Sequence, residues 1–155
     1  MKWRTGMGIP KPMSTVKQLS VFIENRQGRL GEVLAVLKDN KVNILSLSLA
    51  DTTEYGLLRI IVNDPERGCN VLLKSGFSSM LTDVLIVKVP HVAGSLQTIL
   101  QKITERGISI EYMYGLSVEA EDASIVMKTN ELALALEVLK SAKIETMTPE
   151  EISSL

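Results

Sequence analysis

Glu24-Asn25-Arg26-Gln27-Gly28-Arg29-Leu30 and Pro90-His91-Val92-Ala93-Gly94-Ser95-Leu96 hold equivalent places in two copies of one pattern, 66 positions apart. Gly28 falls on Gly94, Leu30 on Leu96, Leu34 on Leu100 and Ile44 on Ile110. Identities are few, so the repeat rests on register. Apolar positions, glycines and helix starts stay aligned from residues 17–81 to residues 83–147 without a gap. A repeat of that length is one supersecondary unit used twice.

The elements follow outward from the turn. Lys17 to Ile23 puts Leu19, Val21 and Ile23 on one face of a half-buried strand. Leu30, Val33, Leu34 and Leu37 then form the apolar stripe of a helix ending near Asn40. Lys41 to Ala50 changes to period two, with Leu45, Leu47 and Leu49 facing one way and Ser46 and Ser48 the other. Asp51 to Glu54 makes a turn, Tyr55 to Val62 a third strand, and Asp64-Pro65 caps a second helix that Gly76 stops. A short strand, Phe77 to Leu81, leads directly into the second copy.

That copy repeats the order. A strand spans Val84 to Val89, a helix Ser95 to Arg106 with Gly107 after it, and two strands Ile110 to Val118 and Ala123 to Thr129. A helix from about Glu131 to Ser141 and a last strand near Lys143 to Met147 complete it, and Thr148-Pro149-Glu150-Glu151 opens a terminal helical turn. Each copy therefore reads as βαββαβ, with right-handed crossovers. The fold class is α+β, two tandem units each with an antiparallel sheet and helices on one face. Residues 1–15 read as a loose arm, 16–82 as the first domain and 83–155 as the second.

Composition narrows the function. A net charge of −1 argues against nucleic acid, whose phosphates demand a concentrated excess of Lys and Arg. No run of 18 apolar residues and no signal-peptide pattern is present, so membrane partners are not expected and the chain reads as cytoplasmic. One cysteine, Cys69, and one histidine, His91, exclude an internal disulfide and a Cys/His metal cluster. Neither a metal nor another cofactor is expected. No spacing suggests a nucleophile with its base or a pair of catalytic carboxylates, so catalytic residues are not assigned.

The turn carries the chemistry. Gly28 and its neighbours lie beside a helix N-terminus, where unpaired backbone N–H groups and the helix dipole favour an anion. Asn25 offers both a donor and an acceptor, suited to reading an ammonium and a carboxylate together. Asn43 opens the next strand and is expected to face the same crevice. Arg26 and Arg29 are either ligand contacts or solvated side chains. Tyr112 and Tyr114 align with Ser46 and Ser48, so the tyrosines are expected to pack across against a serine-lined surface.

The run Glu24-Asn25-Arg26-Gln27-Gly28-Arg29-Leu30, a helix, and then Val42-Asn43-Ile44 closely resembles the ACT domain, a small amino-acid-sensing module. Residues 17–147 resemble a tandem ACT protein, and the first copy is also similar to the start of an acetolactate synthase regulatory subunit. The resemblance implies ferredoxin-like units, an amino acid bound at an interface between units, and a homodimer. Carried over by position, it implicates Asn25, Gly28, Arg29, Leu30, Asn43 and Ile44. The second copy keeps Gly94, Leu96 and Ile110 but has His91 for Asn25 and Ser109 for Asn43, so its candidate set is His91, Gly94, Ser95, Leu96, Ser109 and Ile110.

The function implied is regulatory, an effector amino acid biasing the arrangement of units or subunits. One alternative is a regulatory subunit of a separate amino-acid biosynthetic enzyme of the acetolactate synthase kind. Only eight residues follow Met147, which favours the stand-alone sensor. A further alternative is a small acylphosphatase-like enzyme, with a phosphate held by the first loop.

Overall fold

In the computed structural model, which describes residues 15–51, 54–118 and 122–155, the first unit runs β1 (Val16–Glu24), α1 (Arg29–Asp39), β2 (Ile44–Asp51), β3 (Tyr55–Val62) and α2 (Pro65–Lys74). β4 (Ser78–Pro90), α3 (Ser95–Thr104), β5 (Ile110–Val118), β6 (Asp122–Thr129), α4 (Leu132–Ser141) and α5 (Pro149–Ser153) follow. The expected N-terminal arm falls on residues 1–14, outside the described residues, as do positions 52 and 53 of the expected turn.

Local chemistry sets the helix ends as anticipated. The Asp64 carboxylate accepts from the Arg67 N–H at 3.2 Å and Pro65 takes the first helical position of α2. Thr148 and Glu151 form a reciprocal capping box on α5. Gly28 and Gly94 cap α1 and α3 at φ 84° and 89°, a left-handed backbone that needs glycine although a Cβ at either place would meet nothing within 4 Å.

The six strands form one sheet in the order β2-β3-β1-β4-β6-β5, and every ladder is antiparallel. β1 and β2 run the same way but are not neighbours, because β3 lies between them. The two short strands expected at residues 77–81 and 84–89 are a single strand, β4. Thr82 and Asp83 interrupt nothing: they stay in register with Gln18 and Lys17, and Lys17 Nζ meets Asp83 Oδ1 at 2.6 Å. The last expected strand reduces to one bridge, Val87 with Thr146.

Two apolar cores lie between the sheet and the helices. Leu19, Val21, Leu58, Ile60, Leu37 and Leu72 fill the first, and Leu85, Val87, Ile103, Met127 and Leu139 the second, all fully buried. Each such side chain contributes about 1.5–3 kcal/mol. A third core, built of Val16, Ile61, Val84, Ile86, Val126, Met147 and Ile152, occupies the other face, where the halves of the sheet close on each other and β2 touches β5.

Leu45 joins that third core. A bulge between Ile44 and Ser46 turns it away from Leu47 and Leu49, which leaves these two half-exposed on the helix side of the edge strand.

A second bulge breaks the repeat's register. Gly115 pairs with Ile125 and Ser117 with Ser124, so Leu116 is an extra residue in β5 and packs toward the third core. Before it the copies match at 66, and after it at 67. Asn63 bonds Asn43 as Asn130 bonds Ser109, and Phe77 N–H donates to Leu72 O as Ile144 N–H donates to Leu139 O. The gapless alignment is therefore corrected: past the bulge, Ala135 stands where Gly68 does.

Candidate functional site

The turn after β1 is built from its own backbone. Asn25 N–H donates to Glu54 O at 3.1 Å, Arg26 N–H to Glu24 O at 2.8 Å, and Arg29 N–H to Arg26 O at 3.3 Å. Beside it lies a cavity of about 190 Å³ lined by Ile23, Glu24, Asn25, Arg26, Leu30, Leu49 and Gly56. It reaches the outermost strand through Leu49, and Gly56 gives it depth, since a Cβ there would come within 3.4 Å of the Leu49 side chain. Its size falls short of the ~300 Å³ at which small-molecule sites begin.

Two of the sequence-derived residues, Asn25 and Leu30, line this cavity. Gly28 sets the turn from the cap position. Arg29 points elsewhere: its guanidinium lies 4.0 Å from the Phe77 ring centroid, donates to Glu32 Oε2 at 2.5 Å and stands 4.0 Å from Glu24 Oε1. That hydrogen bond holds the Glu32 carboxyl below its ordinary value. Arg29 Nε is buried without a hydrogen-bond partner among the described residues.

Asn43 and Ile44 are at the opposite end of the unit. Asn25 bonds the residue before β3, whereas Asn43 bonds Asn63 just past the end of β3, through Asn43 N–H to Asn63 Oδ1 at 2.9 Å and Asn63 N–H to Asn43 O at 3.1 Å. An eight-residue strand separates them, roughly 25 Å of extended chain. The expectation that Asn43 faces the crevice of its own unit is corrected, because β3 separates β2 from β1 and Asn43 sits at the start of a strand that runs toward the turn.

The second unit repeats this division. His91, Gly94, Ser95 and Leu96 surround the turn before α3, and Ser109 and Ile110 lie at the far end, where Ser109 N–H donates to Asn130 Oδ1 at 2.9 Å. A larger cavity, about 430 Å³, takes in Ser95 alone of these six, with Lys88, Thr98, Lys102, Asp122 and Lys143 on its walls. Among the described residues no group of three or more His, Cys, Asp and Glu is placed to hold a metal ion, and no helix is long and apolar enough to cross a membrane.

Sequence reasoning missed Leu49 and Gly56 as cavity residues, and also Asn63 and Asn130, which clamp the far ends. The asparagines coincide only once the extra residue Leu116 is counted, since the gapless register sets Asn63 against Thr129.

The tyrosines cross to the first unit, but their hydrogen-bond partner is Gln18 of β1 and not the serines of β2. Tyr112 and Tyr114 reach across the third core to Gln18, and the Ser46 hydroxyl donates to Gly115 O at 2.6 Å. The Arg59 guanidinium stacks 3.6 Å from the Tyr112 ring centroid.

Solved structures share this architecture. Protein BT0572 from Bacteroides thetaiotaomicron is 34% identical, with 92% of this chain and 98% of that one covered and a TM-score of 0.87. The regulatory subunit of aspartate kinase from Thermus thermophilus is 15% identical over 84% of this chain and 93% of its own, TM-score 0.58. The same subunit from Thermus flavus is 14% identical over 84% and 94%, also TM-score 0.58. The likeness to both subunits is one of fold. No curated protein matches the chain. Residues 14–155 match the ACT domain pair family, and the chain belongs to it.

Proposed function

We propose that the protein is an amino-acid sensor whose effector binds between ACT units of two chains, the turn of one facing the Asn43 end of the other. The observation that carries this reading is the split of the candidate residues. Asn25, Gly28 and Leu30 gather at one end of the first unit while Asn43 and Ile44 sit at the other. Two units set antiparallel along β2 bring the unlike ends together, twice by symmetry. The position of β2 at the sheet's edge among the described residues, with its half-exposed Leu47 and Leu49, suits such a homodimer.

Bound amino acid then stabilises the paired arrangement in proportion to its preference for that arrangement, and this is the regulatory output. A carboxylate meets the helix N-terminus at Gly28, and Asn25 reads the polar groups beside it. The reading of a non-catalytic protein fits Arg29, which is tied to Glu32 and stacked on Phe77 instead of being open to a phosphate in the first loop. The fold shared with the regulatory subunits of aspartate kinase supports a second reading, control of a separate biosynthetic enzyme, which pull-down of an enzyme subunit would favour.

A thermal-shift screen of the purified chain against the twenty amino acids tests the sensor reading. A saturable rise in Tm with one or a few of them, lost in Asn25→Ala, is expected, because a ligand selective for the folded state raises its stability. No rise with any amino acid overturns it.

A further inference from the structure

We infer that the large cavity of the second unit is a separate site for a small organic anion, with Lys102, Lys143 and Ser95 as its ligand-holding residues. The inference is independent of the amino-acid site proposed above. It rests on what the two units place in the same space. In the first unit the gap between α1 and the segment after α2 is filled by the Arg29 side chain, which lies over Phe77 and is paired with Glu32. In the second unit, with the register shift at Leu116 taken into account, Ser95 replaces Arg29, Thr98 replaces Glu32 and Ile144 replaces Phe77. Removing the arginine leaves a cavity of about 430 Å³, within the range of small-molecule sites.

The charge of the lining is reversed as well. Pro90 and Thr98 stand where Glu24 and Glu32 hold the guanidinium, and lysines arrive where the first unit has none: Lys88 for Phe22, Lys102 for Val36 and Lys143 for Gly76. Lys88 is committed, since burial works against its charge but the Glu151 and Glu145 carboxylates, at 3.2 Å and 3.5 Å, more than offset this. Lys102 and Lys143 make no ion pair among the described residues, and the Ser95 hydroxyl has no partner there. Two free ammonium groups and a free hydroxyl on a wall with Ile99 and Ile144 suit a carboxylate or phosphate on a short carbon skeleton. Asp122 and Glu145 on the same wall set the limit, because their carboxylates repel a dense anion and accept from a ligand donor.

The backbone of Lys143 is left-handed. Its φ is 58°, where the first unit has Gly76 at φ 89°. The first unit has the mirror case, Lys41 at φ 58° where the second has Gly107 at φ 75°, so this backbone bears on the stability of a Lys143 variant, glycine being the unstrained residue there.

The test is titration of the full chain with inorganic phosphate, with succinate and with acetyl phosphate, followed by calorimetry and amide NMR. Saturable binding that shifts the α3 and residue 142–145 amides is expected, and the three probes separate a phosphate site from a carboxylate site. Lys102→Ala is expected to weaken it by about tenfold or more. Lys143→Gly is expected to weaken it similarly while raising Tm, an opposition that a merely structural lysine does not produce. Ser95→Arg with Thr98→Glu, which rebuilds the first unit's ion pair, is expected to abolish binding. Asn25→Ala leaves it unchanged, so this site and the amino-acid site fail separately. No saturable binding of any probe, or equal binding by Lys102→Ala and Lys143→Gly, overturns the inference.

Discussion

The Tyr114 hydroxyl donates to Gln18 Oε1 at 2.7 Å, joining β5 of the second unit to β1 of the first. Gln18 is fully buried, and its Nε2 is shared between Tyr112 Oη at 2.8 Å and Ser20 Oγ at 3.1 Å. A polar knot inside the third core stabilises only while every member is satisfied. Gln18→Ala strands both tyrosine hydroxyls and should lower the unfolding free energy by about 1–3 kcal/mol. A loss under about 0.5 kcal/mol in urea denaturation would show the knot to be dispensable.

The same tyrosine sets an alkaline limit. Burial, and then the neighbouring Tyr112, raise the Tyr114 hydroxyl well above its ordinary value of 10.0, with Arg59 opposing. The folded state holds this proton more tightly than the unfolded chain does. The stability it contributes is therefore complete below about pH 10 and is lost progressively above it. Unfolding free energies measured up to pH 11.5 should fall more steeply for the parent than for Tyr114→Phe, and parallel curves would refute the assignment.

Glycines in one helix should respond with opposite signs. Gly28 has φ 84°, so alanine there is strained and should cost about 1–2 kcal/mol. Gly31 lies inside α1 with open space around it, and Gly31→Ala should gain up to about 1 kcal/mol. Equal effects in thermal or chemical denaturation would mean that the turn relaxes.

Leu47 and Leu49, 47% and 49% exposed on the edge strand, provide the handle on assembly. Leu49→Lys should shift the chain to monomer in sedimentation velocity without unfolding it, because a lysine on an edge blocks strand pairing. If the mass is unchanged, assembly along β2 is ruled out.

An interchain site also predicts complementation. Asn25→Ala and Asn43→Ala should each abolish amino-acid binding alone, whereas a mixed dimer carries one intact site and one doubly damaged site. A one-to-one mixture re-associating at random is half mixed dimer, so about a quarter of the parental binding capacity is expected, and none if both residues serve one chain's pocket.

Local features were readable in the sequence: the glycine turns, the capped start of α2, the capping box on α5 and the leucine stripes all follow from neighbours within one or two turns of chain. What could not be read depends on contacts between distant segments. Leu116 looks like one more residue of a period-two run, and only its pairing partners reveal it as a bulge. Asn43 looks adjacent to the turn because β2 follows β1 in order, yet β3 enters between them. Thr82 and Asp83 look like a break between units, but Gln18 and Lys17 hold them in the ladder.

The uninterrupted strand β4 has an evolutionary reading. A lone ancestral unit would have exposed the face now buried as the third core, so it would have needed a second copy of itself against that face. Joining two such copies end to end through β4 made the partnership covalent and released the halves from identity. One half carries Asn25 and an arginine locked in place, and the other carries His91 and Ser95 at the same places. A symmetric ancestor is confined to two equal sites, whereas a fused descendant can keep one and build another.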